Sequence, residues 1–409
     1  MSNNKKNNTD SAPLKNKINI RVIKLNAVLP PVPKEDKNSD IVYFGDDNRF
    51  PDYLLTLSNL TGLHTAILDK KIKMTIGDGI TYDGNDDATT DNFIANPNPD
   101  ESLDEILLKC TTDLEIFGGF YLQAIWNKDK TSISIYHQPF QSVRCGKADD
   151  KGKIDTFYIK DEWKKYDKVK DATVIAAFDG KFTASAQLIR CYKYNPINKY
   201  YPIPSYIGAT TDIDTLFQIS NFHNNAIRNN FNPGAVFIFR GPEPTEEEMD
   251  VIVKNIEKKY QGSNNAGTPL IMFLDNEQQE PKFEQMQITD LDKLFQELSN
   301  TAKENITLSH SIPRIVAGLE KPGQLGGSKE IIEANLIFFN DYVKKEQQFL
   351  LNQINKIGKI NGIQELLIKN SNPSLVLYSE SLLQKVLTVS EIRAIFGYDN
   401  ITTTQTTIE

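Results

Sequence analysis

Apolar residues recur every three to four positions over four long stretches of the chain, which predicts four amphipathic helices. The first helix extends to Leu68, where the charged run 69–73 predicts its end. The second helix covers 103–116, and Ser102 and Glu105 form a capping-box pattern at its start. Both helices lie in the first third of the chain and predict a helical layer there.

Between the second and third helices the hydrophobic period changes to two, which predicts β-strands. The predicted strands cover 120–126, 132–136, 156–159 and 188–192. Turn-forming residues separate them at 129–130 and 149–153. The pattern predicts a small antiparallel β subdomain, whose Tyr and Trp residues we interpret as ordinary sheet-face residues.

The third and fourth helices, over 212–231 and 289–308, bracket an insert at 234–287. Each has one apolar stripe, and the opposite face of the third helix is rich in Asn. Asn is a poor helix former because its side chain competes for the backbone. We therefore expect this helix to gain most of its stability from packing, against neighbouring subunits. The two helices are expected to run antiparallel, with the insert at their far end.

The insert itself reads as strand, helix, turn and strand. The strands are predicted at 235–239 and 270–274, and Thr245 and Glu248 form a capping-box pattern for a helix that reaches Tyr260. A unit of this size buries little of its own apolar surface. We expect it to pack against an adjacent copy.

Charge excludes one class of function. The chain of 409 residues has 46 basic and 54 acidic residues and a net charge of −8. Proteins that grip duplex DNA tightly usually present a basic surface. The most basic part here is the first 24 residues, within a segment 1–40 that is rich in Asn, Lys and Pro. That segment is predicted to be a mobile arm, either a plain tail or a docking arm.

Cysteine usage and hydropathy point to an intracellular protein. The three cysteines, Cys110, Cys145 and Cys191, are widely spaced and match neither a disulfide framework nor a zinc site. We expect buried thiols in a reducing compartment. The longest apolar stretches are too short to cross a bilayer, and no signal peptide is predicted at the N-terminus.

Candidate chemistry is sparse. Gly318 and Gly323 have the first spacing of a phosphate-binding loop, but Gln324 follows where the motif requires Lys, so ATPase activity is not expected. The four histidines lie far apart in sequence, which predicts that they are packed or exposed singly. The acidic runs 86–87 and 246–248 lack a metal-loop pattern and suit turns and helix N-termini. We expect no catalysis, no metal and no cofactor.

The ordered run from 232 to 318 resembles portal proteins of tailed bacteriophages, in the siphovirus-type, HK97-like branch. The matching features are Asn-Pro-Gly before a strand, a Thr-Glu-Glu helix with Tyr260 and Gly262, Asn265-Ala266-Gly267, the strand 269–273, Asp292, Phe295, Ile306, Ile312-Pro313 and Gly318. Near the C-terminus, 387–393 and Gly397 resemble the Leu-Thr-x-Asn-Glu-x-Arg element that closes many of these chains. Arg314, Ser390 and 309–311 depart from the pattern.

The resemblance implies an α+β portal fold with a defined layout. Its parts are a flexible N-terminal arm at 1–40, a wing of helices and a small antiparallel β subdomain at 41–208, a first stem helix at 209–233, an α/β clip at 234–287, a second stem helix at 288–312, a tunnel loop at 313–328, a long wing helix at 329–370, and a crown and C-terminal tail at 371–409.

The resemblance also implies a function and partners. Portal proteins form a homo-oligomeric ring, expected here to be a dodecamer, at one capsid vertex of the virion, after assembly in the host cytoplasm. The ring is the channel for DNA packaging and ejection. It docks the terminase large subunit and then the head–tail connector or adaptor, and it meets the major capsid or scaffolding protein. Double-stranded DNA passes without sequence specificity, and no membrane is involved.

Two groups of site residues follow from the resemblance. Lys321, Gln324 and Lys329 would face DNA from the tunnel loop, although the two lysines can equally be solvated loop residues. In the clip, Glu246, Glu247 and Glu248 would dock the terminase or connector, although acidic residues at a helix N-terminus are also ordinary.

Two other classes of protein remain open alternatives. One is another oligomeric connector protein of the virion, although adaptors are usually much shorter chains. The other is a metal-dependent enzyme acting on nucleic acid, which would need a closely spaced carboxylate–histidine set that the sequence does not offer.

Overall fold

The computed structural model describes residues 33–36, 39–164, 169–196, 198–228, 236–240, 245, 251, 270–274, 288–319, 328–370 and 388. The helices are α1 Phe50–Ser58, α2 Gly62–Ile76, α3 Ala88–Ala95, α4 Leu103–Phe117, α5 Thr210–Arg228, α6 Ile288–Ser309, α7 Ser328–Phe338 and α8 Lys344–Asn361. The strands are β1 Lys34–Glu35, β2 Val42–Tyr43, β3 Ile80–Tyr82, β4 Gly119–Trp126, β5 Ile133–Gln138, β6 Val143–Cys145, β7 Thr156–Ile159, β8 Thr173–Ala177, β9 Ala186–Tyr192, β10 Val236–Arg240, β11 Leu270–Leu274 and β12 Leu366–Ile368.

The predicted β subdomain is a six-stranded sheet with the order β5-β4-β9-β8-β7-β6. All four predicted strands are confirmed within a few residues, but β6 and β8 were missed. The sheet is also not purely antiparallel, because β8 pairs with β9 in parallel at Ala176–Gln187 and Ala177–Leu188. β6 is short and β8 has an exposed Val174, so neither gives a clear alternating pattern.

Side chains and backbone groups from outside the sheet cover its β5 edge. Asn361, the last residue of α8, accepts from the Ile133 N–H at 2.7 Å and donates to the Ile133 carbonyl at 2.9 Å. Asn98 donates to the Ile135 carbonyl at 2.7 Å, and the Ile135 N–H donates to the Pro97 carbonyl at 3.2 Å. Because these bonds satisfy edge groups that would otherwise be free to pair, the edge is protected from adding a strand.

The first predicted helix is two helices, and the predicted end at 69–73 is wrong. α1 ends before Asn59, and Thr61, with extended backbone angles, precedes α2. The charged run lies inside α2, which continues to Ile76. It stays helical because Lys71 is fully buried and paired with an acid on another helix, so the charge belongs to the inner face.

The helix α4 confirms its predicted start. The Ser102 side chain accepts from the Glu105 N–H, and the Glu105 carboxylate accepts from the Ser102 N–H at 2.8 Å, so the capping box is complete. Gly118, with a left-handed φ of 83°, ends the helix. A Cβ there would lie 2.6 Å from the Ile203 carbonyl oxygen, which favours glycine at this position.

The core of the described residues consists of a small apolar cluster of Ile41, Tyr43 and Trp163 and two large clusters. One large cluster joins α1, α2 and one face of the sheet to the N-terminal end of α5 and the C-terminal end of α6. It includes Phe44, Phe140, Ile213 and Ile306. The other packs α4 and α8 against β4 and β5. All three cysteines are buried and free, as predicted.

The long helix predicted over 329–370 forms from Ser328 but ends at Asn361, where Gly362 in the left-handed conformation caps it, and a strand follows at Leu366–Ile368. A π-helical segment at Phe339–Val343 separates α7 from α8. Such segments widen a helix locally and are frequent at functional sites. After α8, β12 pairs antiparallel with β3, which ties this helix to the end of α2.

Of the insert between the third and fourth predicted helices, the structure describes the two strands and the single residues 245 and 251. β10 and β11 pair in parallel, with Val236 opposite Leu270, which confirms both strands. The helix predicted from Thr245 to Tyr260 lies almost wholly outside the described residues.

In the predicted N-terminal arm, Lys34–Glu35 forms a strand that pairs with β2, and the first 32 residues lie outside the description.

Candidate functional site

The helices α5 and α6, which we call the stem pair, run antiparallel, as predicted. Near one end, Asn305 donates to the Asp212 carboxylate at 3.0 Å, and further along, the Phe222 and Phe295 rings lie 4.8 Å apart. Residues that come early in α5 therefore contact residues that come late in α6. The strands β10 and β11 lie in the segment that connects the two helices.

The stem pair leaves several large apolar side chains in solvent within a single chain. Phe222 is 49% exposed, Leu294 49%, Leu298 42% and Leu308 75%. Leu294 and Leu298 are four residues apart and lie on the same face of α6. At the other end of the helix, Ala302 and Ile306 are buried. The predicted apolar stripe of α6 is thus covered at one end and open at the other, a property typical of a contact surface.

A buried polar cluster, which we call the junction cluster, joins α2, α4, the π-helical segment and α8. Lys71 Nζ lies 2.5 Å from Glu115 Oε2, and the two side chains are 0% and 2% exposed. The Tyr342 hydroxyl donates to the same carboxylate at 2.8 Å, and Lys71 Nζ lies 4.4 Å from the Tyr342 ring centroid. At its edge, Lys193 pairs with Glu346 at 2.5 Å.

The junction cluster fixes the π-helical segment relative to the two helices it faces. Burial, followed by the neighbouring carboxylates, raises the pKa of Tyr342, so its hydroxyl stays a donor. Burial also raises the pKa of Glu346, against the lowering effect of Lys193. Sequence reasoning missed this cluster, although His64, Leu68, Lys71 and Thr75 recur at helical spacing on one face of α2 and signal that Lys71 faces inward.

Two histidines meet at the inner end of the stem pair. His64 Nδ1 of α2 lies 2.9 Å from His310 Nε2, just after α6, and both residues are fully buried. The Tyr206 ring packs against both imidazoles, with centroid distances of 4.6 Å and 5.1 Å. The prediction that all four histidines are packed or exposed singly is therefore wrong. Sequence separation hid the pair, because the partners are 246 positions apart.

The histidine pair should make the protein sensitive to acid. Burial, and then the charge of Lys71, lowers the pKa of His64 to about 4 and that of His310 to about 2, from 6.5. Below pH 6.5 the histidines of the unfolded chain bind protons while the buried pair does not. Protonation therefore favours the unfolded chain, and the free energy of unfolding falls as the pH drops from 6.5 towards 4. We expect a loss of about 2 kcal/mol at pH 5 from His64 alone.

Denaturant unfolding between pH 7.5 and pH 5 checks this expectation against the double variant H64Q/H310Q, whose amides can still bond to each other but do not titrate. Asp113 and Glu346, whose pKa values burial raises, titrate in the opposite direction in both proteins and cancel in the comparison. Equal pH dependence in both proteins would contradict the assignment.

The third histidine forms a carboxylate pair. His137 Nε2 lies 2.7 Å from Asp113 Oδ2, which also accepts from the Phe140 N–H at 3.1 Å. The pair joins β5 and the turn after it to α4 and serves the packing of the sheet on that helix. Across the described part of the chain, no group of three or more His, Cys, Asp or Glu side chains is arranged to hold a metal ion.

The structure does not describe the side chains of the predicted site residues. Lys321, Gln324 and Glu246, Glu247 and Glu248 all lie outside the described residues. Lys329 falls in the first turn of α7, and its side chain is outside the description. These assignments stay predictions. Within the described helices, none is long and apolar enough to span a membrane.

Sequence comparison finds distant relatives only. No family model matches the chain. An uncharacterized protein of Rickettsia bellii is 21% identical over 242 residues, which is 56% of this chain and 55% of that protein. An uncharacterized protein of Rickettsia felis is 21% identical over 33% of this chain and 34% of that protein. The chain thus spans about half the length of the first relative and a third of the second.

Structural comparison finds fuller matches. A chain in the virion of a native gene transfer agent particle has a TM-score of 0.54 at 15% identity, over 86% of this chain and 94% of that one. A chain in the neck of the native particle, computed with C12 symmetry, gives the same values. A portal protein of the HK97 phage family from Corynebacterium diphtheriae has a TM-score of 0.44 at 12% identity, over 82% and 97%. The chain shares its fold with the gene transfer agent particle chains, and this fold is α+β, as the sequence resemblance implied.

Proposed function

We propose that the chain is a phage-type portal protein, which forms a homo-oligomeric ring around a DNA channel at one vertex of a capsid. The observation that supports this most is the stem pair, whose open apolar stripe at Phe222, Leu294 and Leu298 is available to a neighbouring copy. The portal-like fold, shared with a chain in the neck of a gene transfer agent particle, agrees with the proposal.

Contact between copies through the stem pair leads to a ring. The stem pair offers different faces on its two sides, so the contact between copies is head-to-tail and closes when the rotation between neighbours divides a full turn. Burying a Leu or Phe side chain stabilises a contact by about 1.5–3 kcal/mol. Three half-exposed side chains per contact, repeated around the ring, favour a closed assembly over the free chain.

The charge of the chain suits a conduit for DNA. A net charge of −8 gives weak, long-range repulsion of phosphates instead of tight contacts. DNA moves through such a channel in packaging and in ejection without sequence-specific binding. We assign the remaining partners by the same proposal: the terminase large subunit and later a head–tail connector at the clip, and the major capsid or scaffolding protein around the wing.

The mass of the purified chain in solution tests the proposal. We expect one dominant species whose mass is a fixed multiple of the 46.3 kDa chain, with weak, salt-sensitive binding to linear duplex DNA. DNA incubated with the protein and Mg²⁺ or Mn²⁺ should stay intact. Cleavage would favour the metal-dependent enzyme, and a monomer at micromolar concentration would contradict the ring.

A further inference from the structure

The solvent face of α8, which we call the lysine face, carries charges of one sign. The exposed side chains of this helix are Lys344, Lys345, Gln348, Asn352, Lys356 and Lys359. From Lys345 onwards they recur every three or four positions, so they lie on one face of the helix. That face is about 21 Å long, at a rise of about 1.5 Å per residue. It has lysines at both ends, neutral amides between them and no carboxylate.

The orientation of the lysine face is fixed by what α8 buries on its other side. Leu350, Ile354 and Ile357 are buried in the apolar cluster that packs α8 on α4 and the sheet. Glu346, the acidic residue of α8, is also buried and pairs with Lys193 at 2.5 Å. The helix therefore holds its acid inside and its cations in solvent.

The solvent faces of two neighbouring helices mix both signs of charge. On α2, Lys73 pairs with Asp69 at 2.6 Å, and both side chains are more than half exposed. On α4, the exposed charged residues are Asp104, Glu105 and Lys109. In a chain with more acidic than basic residues, a helix face that has lysines alone is a local exception.

The described part of the chain does not neutralise the lysine face. None of its four lysines forms an ion pair with a described residue. Exposed acids lie near both ends of α8, at Asp341 and Glu365, but neither pairs with these lysines. Like charges three positions apart, such as Lys356 and Lys359, destabilise a helix. An anionic partner on this face would relieve that repulsion.

We infer that the lysine face binds the phosphate backbone of duplex DNA, weakly and without reading its sequence. Lysine neutralises phosphate as a point charge and does not need the paired geometry that arginine supplies. Gln348 and Asn352, between the lysines, have amide N–H groups that can donate to phosphate oxygens.

Stiffness favours DNA over an acidic peptide as the partner. A duplex presents about 12 phosphate charges along about 21 Å, already held in a nearly straight row. A flexible peptide must lose conformational entropy to align its carboxylates with a rigid helix. The inference rests on the proposed function for the source of the DNA, and it gives a location to the weak, salt-sensitive binding expected there. Repulsion by the acidic remainder of the chain keeps this binding weak.

Fluorescence anisotropy of a labelled duplex of mixed sequence, titrated with the full chain, tests the inference. In the variant K344Q/K345Q/K356Q/K359Q, we expect the Kd to rise at least about tenfold at about 50 mM salt. The slope of log affinity against log salt concentration should become shallower by about 3. Glutamine keeps the helix propensity of lysine, so circular dichroism should be unchanged.

The matched control removes the same charge from another exposed surface. K128Q/K147Q/K151Q/K181Q replaces four exposed lysines in turns of the β subdomain, each within two residues of an Asp. Because these lysines lie beside acids, its Kd should stay within about twofold of the unmodified value. A large loss in the control as well would show an effect of net charge and would overturn the inference.

Three further results would also overturn it. They are an unchanged Kd in the lysine-face variant, no binding of DNA by the unmodified protein at about 50 mM salt, and tighter binding of a poly-glutamate peptide than of DNA. Particle mass of the same samples separates this question from the ring. The lysine-face variant should assemble like the unmodified protein, because the stem pair is untouched. A monomeric unmodified protein would contradict the ring, while the two Kd values would still decide the inference.

Discussion

Replacing Lys71 by Met should lower the free energy of unfolding by about 3–5 kcal/mol, the largest loss expected from a single substitution in this chain. Lys71 is the buried cation that lies 2.5 Å from Glu115, and both side chains are almost without solvent contact. Met fills nearly the same volume but leaves the carboxylate buried with the Tyr342 hydroxyl as its remaining partner. An unmatched charge in such a place is far more costly than a lost surface pair.

Denaturant unfolding at pH 7.5 measures the loss. The matched control is K70M, which replaces the neighbouring exposed lysine of the same helix and should change stability by no more than about 0.5 kcal/mol. The double variant K71M/E115Q should recover most of the loss, because a neutral amide still accepts from Tyr342. A K71M protein within 1 kcal/mol of K70M would contradict the buried ion pair, taking roughly 1 kcal/mol as the ordinary effect of a substitution.

Placing two aspartates on the open stripe of α6, in the variant L294D/L298D, should abolish assembly while the chain stays folded. Both leucines are about half exposed in the single chain, so folding depends little on them. In a ring they would be buried at every contact, where two uncompensated carboxylates weaken association by several kcal/mol. The penalty repeats at each contact, so a closed ring cannot tolerate it.

Particle mass and circular dichroism of the same sample check this result. The control Q296D/N300D adds the same charge, with the same four-residue spacing, at exposed polar positions of α6 and should assemble normally. Its behaviour separates loss of the apolar stripe from a general effect of charge on the helix. Full assembly of L294D/L298D would exclude this stripe as the contact between copies.

Elements with a strong period could be predicted from the sequence. The capped helix α4, four strands of the sheet and the stem pair all follow from turn residues and from apolar residues that recur at a regular spacing. The short strands β6 and β8 could not, since three to five residues with mixed burial give no clear period. The parallel β8–β9 pairing depends on a crossover that local patterns do not encode.

The buried polar contacts could be predicted from the sequence even less well than the short strands. A charged run normally ends the apolar face of a helix, so the sequence alone predicts a helix end at Lys71. Its charge is tolerated inside because Glu115, 44 positions later, and Tyr342, on the long helix, lie against it. The His64–His310 pair was hidden for the same reason. Partners that are distant in sequence leave no local signal, and only the folded structure brings them together.

Electron cryo-microscopy of the purified full chain is the measurement that tests the proposed ring most directly. We predict closed rings with a central hole wide enough for a DNA duplex. In the reconstruction, the α5–α6 pair should lie in the wall of the channel, with Leu294 and Leu298 against the neighbouring copy. A monomer at assembly concentrations, or a closed particle without a central hole, would contradict the account.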